Sequence, residues 1–156
     1  MIQRIQALYL LATTILLTLT FFMPLATFGT TEGVSTLYAY ELVDAAGVAT
    51  TNPYYLWFLV ILAMALPLGT IFRFKKRLTQ IRWCVVEMVL IVGVVLMLGL
   101  YLYRFYTLFA EASPEVFICS FKVTLLCPLV ALLSTWLAMR AIFRDEMLVR
   151  AADRIR

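Results

Sequence analysis

Two ionisable residues, Glu87 and Lys122, sit inside long apolar stretches of this 156-residue sequence. A charge at membrane depth is costly, so each is a candidate for handling a proton or an ion. Counted along helices at about 1.5 Å per residue, Glu87 falls about 6 Å inside one edge of its stretch, and Lys122 roughly 9 Å inside the opposite edge of another. A hydrocarbon core about 30 Å thick then leaves about 15 Å between them, too far for a direct pair. The plainer expectation is that Lys122 extends outward on its long stem towards Glu111 or Glu115. Glu87 would in turn reach a basic rim of Arg73, Lys76 and Arg82. A relay would need a chain of polar side chains, and Thr13, Thr14, Ser120, Thr124, Ser134 and Thr135 supply only fragments of one.

Other chemistry is harder to assemble. The chain has no histidine, which removes the Ser/His/Asp arrangement and most transition-metal sites. Cys84, Cys119 and Cys127 are all expected inside apolar spans, where a thiol acts as a small hydrophobe. On one helix, Cys119 and Cys127 would stand about 12 Å apart, beyond the ~7 Å reach of a disulfide. No glycine-rich phosphate loop is present. The expectation is a protein that is not an enzyme and holds no metal and no cofactor. The net charge of +4 does not indicate nucleic acid, because the bases sit in short clusters beside apolar runs, as topology signals do.

The elements that must carry these residues follow from composition. Apolar residues make up 64% of the chain and charged residues 14%, against roughly 45–50% and 25% in soluble domains. Such an apolar excess calls for lipid as the solvent. Runs of about 20 apolar residues mark spans, expected at 5–28, 54–72, 83–103 and 116–142. In the first, Ala-x-Ala spacing is absent near Leu25-Ala26-Thr27, so it is read as a span rather than a cleaved leader. Tyr54, Tyr55 and Trp57 form an aromatic belt at the second, where Pro67 predicts a kink. Ser113-Pro114-Glu115 resembles a helix start for the fourth, and Pro128 predicts a kink in its middle. The tail, 143–156, continues as a helix. The expected fold is a single all-α domain, an integral membrane four-helix transmembrane bundle. The first outer loop, rich in β-formers from Val34 to Val43 and turning at Ala45-Ala46-Gly47, could form a small β-hairpin.

All of the thirteen Lys and Arg residues except Arg104 and Lys122 then fall on one side. By the excess of bases in cytoplasmic loops, both termini are expected in the cytoplasm and the hairpin loop in the periplasm.

Both ends of the chain carry more pattern than topology needs. Met1-Ile2-Gln3-Arg4-Ile5-Gln6 with Leu8-Tyr9-Leu10-Leu11, and Arg140-Ala141-Ile142, Asp145-Glu146, Leu148-Val149-Arg150 and Ala152-Asp153-Arg154-Ile155-Arg156, resemble the two ends of a family of small inner-membrane proteins of Bacteroidota. That family is catalogued as a domain of unknown function, number 4293, and the similarity extends over the full length. The resemblance implies a bacterial inner-membrane location and brings no activity. The expected role is an accessory or scaffolding subunit of a larger membrane protein complex, with the lipid bilayer and membrane proteins as partners. The alternative is a small transporter, channel or lipid-binding protein. Arg73, Lys75, Lys76, Arg77, Arg150 and Arg154 are the expected contacts for a cytoplasmic partner or for lipid headgroups.

Overall fold

A computed structural model describes residues 2–30, 33–72, 77–112 and 116–154, and the side chains of 5–30, 33–72, 78–112 and 116–149. The first apolar run forms helix α1, Ile2–Phe22. Its threonines satisfy themselves. Thr13, Thr14, Thr18 and Thr20 donate to the carbonyls of Tyr9, Leu10, Thr14 and Leu16, one turn back, at 2.8–3.1 Å. The helix ends because Pro24 has no N–H to offer the ladder. Met23 N still donates to Leu19 O at 2.9 Å, whereas Leu25 N turns away to Leu37 O at 2.8 Å. The expected extension of the first span to residue 28 is therefore corrected: Ala26–Thr30 is strand β1. Apolarity alone cannot separate a short buried strand from the last turns of a helix.

Strands β2 (Gly33–Leu37), β3 (Leu42–Val43) and β4 (Ala49–Thr51) follow, then helix α2, Tyr54–Phe72. Helix α3 runs over Arg77–Ala112, 36 residues, well past the expected end at 103. The fourth apolar run divides. Ile118–Phe121 is strand β5, Val123–Leu126 is a 3-10 turn, and helix α4 spans Cys127–Arg154. The expected helix from 116 is corrected, and Ser113, Pro114 and Glu115 lie outside the described residues. Val116, Phe117, Ile118 and Phe121 are strand formers, and β1 supplies a neighbour for them. Pro128 consequently occupies the first turn of α4, where a missing N–H is harmless, rather than the middle of a span. Pro67 does lie inside α2, which continues through it.

Each helix buries one narrow seam. The buried positions are Gln6, Leu10, Thr13, Leu17 and Thr20 on α1, and Leu56, Val60, Ala63, Pro67 and Thr70 on α2. On α3 they are Gln80, Cys84, Glu87, Ile91, Val94 and Leu98, with Phe105 further on under the sheet, and on α4 Pro128, Ala131, Thr135, Ala138 and Ile142, with Ser134 beside that row. Steps of three and four residues alternate along all four. That is the 3.5-residue repeat of helices packed side by side at small crossing angles. Consecutive helices pack together, and α1 closes the ring on α4 in the most extensive helix–helix contact. Only 22–28% of each apolar window is buried, so most of the large apolar side chains line the outside. The four helices are long and apolar enough to cross a membrane.

The strands form one antiparallel sheet in the order β4-β3-β2-β1-β5. The expected hairpin is present as β3–β4, but it belongs to a larger sheet that draws strands from both outer connections. Ala26 and Phe28 of β1, Leu37 of β2 and Leu42 of β3 bury against Phe105 of α3. Phe28 also stacks on Phe109, with ring centroids 5.1 Å apart. The long end of α3 is therefore the floor of the sheet, which accounts for its extra length. At the β3–β4 turn, Asp44 Oδ1 accepts from Ala45 N at 2.8 Å and from the Ser35 hydroxyl at 2.9 Å. These two bonds hold the Asp44 carboxyl below the usual carboxylate range, so they support the turn at neutral pH and are lost on acidification through its titration.

Gly33 opens β2 with φ +133°, a region nearly closed to other residues, and a Cβ there would run into that of Ala45. Replacing it with alanine, Gly33→Ala, should destabilise the sheet by about 1–3 kcal/mol. Proteolysis within residues 33–51 should accelerate while helicity is retained; unchanged cleavage would contradict this packing.

Candidate functional site

The seams are notable for what they bury. In an apolar bundle, the described interior holds Gln6, Thr13, Thr20, Thr70, Gln80, Glu87, Ser134 and Thr135. Several recur at seven-residue intervals, Gln6–Thr13–Thr20 on α1 and Gln80–Glu87 on α3, so the helical repeat brings them onto the inner face. Most of them find a partner on another helix or on their own backbone.

Glu87 is the centre of this set. It is fully buried, at 0% exposure. The Thr135 hydroxyl on α4 donates to Glu87 Oε1 at 3.0 Å. Thr13 Oγ1 on α1 lies 3.2 Å from Thr135 Oγ1. Each hydroxyl carries one proton and has more than one acceptor in reach, since Thr135 can also bond Ala131 O at 3.0 Å and Thr13 can bond Tyr9 O at 3.1 Å. One consistent arrangement runs Thr13 to Thr135 to Glu87, linking three helices in one direction. In another, both hydroxyls turn back onto their own helices. Ser134 adds a second α1–α4 link, donating to Tyr9 O at 3.2 Å. Gln80 ties α3 to α2 through Nε2 to Thr70 O at 3.0 Å. Glu87 Oε2 and Gln6 Nε2 are buried with no hydrogen-bond partner among the described residues.

The expected route of Glu87 to the basic rim is corrected. Its side chain turns inward to Thr135, while Arg82 is exposed. The seam dictates this, because Glu87 is three residues from buried Cys84 and four from buried Ile91. The placement of Lys122 inside a helical span is also corrected. It sits in extended backbone between β5 and the 3-10 turn (φ −93°, ψ 152°) and is exposed. Its backbone N donates to Leu25 O at 3.0 Å, continuing the β1–β5 pairing. Ser120 lies on β5 and Thr124 in the 3-10 turn that packs on α1 and α4, so neither lies on the helices that carry Thr13, Glu87 and Thr135.

Of the cysteines, only Cys84 is buried in a helix core, beside Leu10, Ala138 and Ile142. Cys127, the first residue of α4, also falls within an apolar span as expected, whereas Cys119 lies on β5 and does not; all three are free thiols. Among the described residues, no group of His, Cys, Asp and Glu could hold a metal ion. Of the expected basic contacts, Arg73, Lys75 and Lys76 lie outside the described residues. Arg77 opens α3, and Arg150 and Arg154 lie in α4, but their side chains lie outside the described ones.

Sequence reasoning missed the Thr13–Thr135–Glu87 arrangement although it named all three residues. The signal was the seven-residue spacing, which marks one face of each helix. A family model described as "Domain of unknown function (DUF4293)" matches residues 2–155. No curated protein matches the chain.

Replacing Thr135 with valine removes the only hydrogen bond described for Glu87 while keeping the side-chain shape. Thr135→Val should destabilise the bundle by about 1–3 kcal/mol in an unfolding titration in bilayers or mild detergent. Adding Glu87→Met should recover part of that loss, because neither partner is then left orphaned. Strictly additive losses would contradict the pairing.

Proposed function

The chain belongs to this family of unknown function, and we propose that it is a bacterial inner-membrane protein with both termini cytoplasmic, serving as a non-catalytic accessory or scaffolding subunit of a larger membrane assembly. The location rests on the resemblance described above and on charge. Up-and-down packing of four helices puts the end of α2, the start of α3 and the end of α4 at one end of the bundle and the sheet at the other. The basic clusters Arg73, Lys75, Lys76, Arg77 and Arg140, Arg144, Arg150, Arg154 then share the cytoplasmic side.

The observation that carries the accessory reading is the outer edge of β5. It ends the sheet, so its outward N–H and C=O groups have no strand neighbour among the described residues. Ile118 is 68% and Phe121 61% exposed, and Val123 beside them is 81% exposed. An unpaired strand edge with apolar side chains is a template for strand addition by another chain. It stands next to the bilayer, where a membrane partner would present its own extramembrane segment.

The buried Glu87 carboxyl, with Oε2 unpartnered, favours the second reading, a small transporter or channel. That reading would gain from helices broken at mid-depth, and Pro128 does not supply a break because it lies in the first turn of α4.

A photo-crosslinking residue placed at Ile118 or Phe121 in cells should give discrete heavier adducts, whereas one at lipid-facing Val89 should not. The substitution Ile118→Asp should reduce co-purification of the adduct partner several-fold. Monomer alone at both β5 positions would contradict the accessory reading.

A further inference from the structure

A groove of about 500 Å³ runs between α1 and α4 at the basic end of the bundle. Its walls are of two kinds. Ile5, Tyr9, Leu137, Ala141 and Leu148 are apolar along its length, and Arg140 and Arg144 stand one turn apart on one side. The two guanidinium groups outnumber the one carboxylate in the lining, Asp145. Arg140 is held in place by lying over the Trp136 ring, 5.5 Å from its centroid, an attraction between a cation and an aromatic face. Arginine offers a planar set of donors that matches phosphate oxygens in pairs.

Depth agrees with charge. From Cys127, at about 1.5 Å per residue, Arg140 lies about 20 Å and Arg144 about 26 Å along α4. With the 3-10 turn before it, the helix brings both groups near the far boundary of an about 30 Å hydrocarbon layer. Phosphates of the inner leaflet lie at that level, and acyl chains lie beside Ile5, Tyr9 and Leu137. We propose that this groove is a site for one anionic phospholipid, its phosphate on Arg140 and Arg144 and an acyl chain along α1 and α4. Basic clefts between spanning helices on the cytoplasmic side recognise anionic headgroups in this way. The proposal rests on the membrane reading and goes beyond it: the lipid would bridge the two helices that Thr13–Thr135 and Ser134–Tyr9 join one to two turns deeper.

The test uses the full chain in mixed micelles and native mass spectrometry, with phosphatidylglycerol and phosphatidylcholine of the same acyl chains in competition. Phosphatidylglycerol should be retained with an apparent affinity about fivefold higher, unaffected by millimolar inorganic phosphate. Arg140→Gln/Arg144→Gln, at exposed positions that leave the core intact, should bring the two lipids to parity, whereas Arg82→Gln should keep the preference. A second readout places Trp136 as the sole tryptophan in bilayers: brominated phosphatidylglycerol should quench it at lower mole fraction than brominated phosphatidylcholine. Equal retention of the two lipids, displacement by free phosphate, or a preference that survives the double substitution would each overturn the site. Recovery of the chain from the aqueous fraction would instead overturn the membrane reading itself.

Discussion

A polar atom facing hydrocarbon has no water to bond, and every buried polar group must find its partner inside the protein. On the proposed membrane reading, that constraint organises the four helices. The outside of the four helices is built of large apolar residues, such as Leu8, Val89, Leu96 and Leu133. The polar residues are drawn to the inner seams, where Thr135 meets Glu87 and Thr13, Ser134 meets Tyr9, and Gln80 meets Thr70. Hydrophobic burial gives little reason for such helices to associate in lipid. Interhelical hydrogen bonds and close packing at small residues take over that role, and Ala63, Ala131 and Ala138 lie on the same seams. The α1–α4 contact is the largest between helices, and it carries both hydroxyl links.

The sheet extends the same logic to the end of the bundle. Two outer connections leave the helices with backbone groups to satisfy, and they satisfy each other: β1 from the first pairs with β5 from the second. Phe105 and Phe109 of α3 then cover the inner face of the sheet. Lys122 N donating to Leu25 O joins the exits of α1 and the entry of α4, so the cap and the helical ring brace each other. What remains unpaired is the outer edge of β5, and the proposed partner contact is placed there for that reason.

Much of this was legible in the residues. Long apolar runs located all four helices, and the second, expected at 54–72, was placed to the residue. The losses came where one physical signal serves two structures. Apolarity at 24–28 and 116–126 is shared by spans and strands, and only long-range pairing between β1 and β5 decides between them. Charge position misled in the same way, since Lys122 read as intramembrane only because its neighbours were taken to be helical. Glu87 was correctly placed inside the third helix, but its direction depended on the seam. The repeat Gln6–Thr13–Thr20 beside Gln80–Glu87 carried that information, and depth counting alone did not use it.

The central claim is that the seams face one another and the remaining faces meet lipid. It is tested most directly by spin labels placed one at a time along α3 in reconstituted bilayers. Labels at Val85, Val89, Val92 and Leu96 should be reached by dissolved oxygen and shielded from a water-soluble nickel chelate, while those at Cys84, Ile91, Val94 and Leu98 should be shielded from both. Nickel access at the first set, or an oxygen profile that does not separate the two sets, would contradict the account.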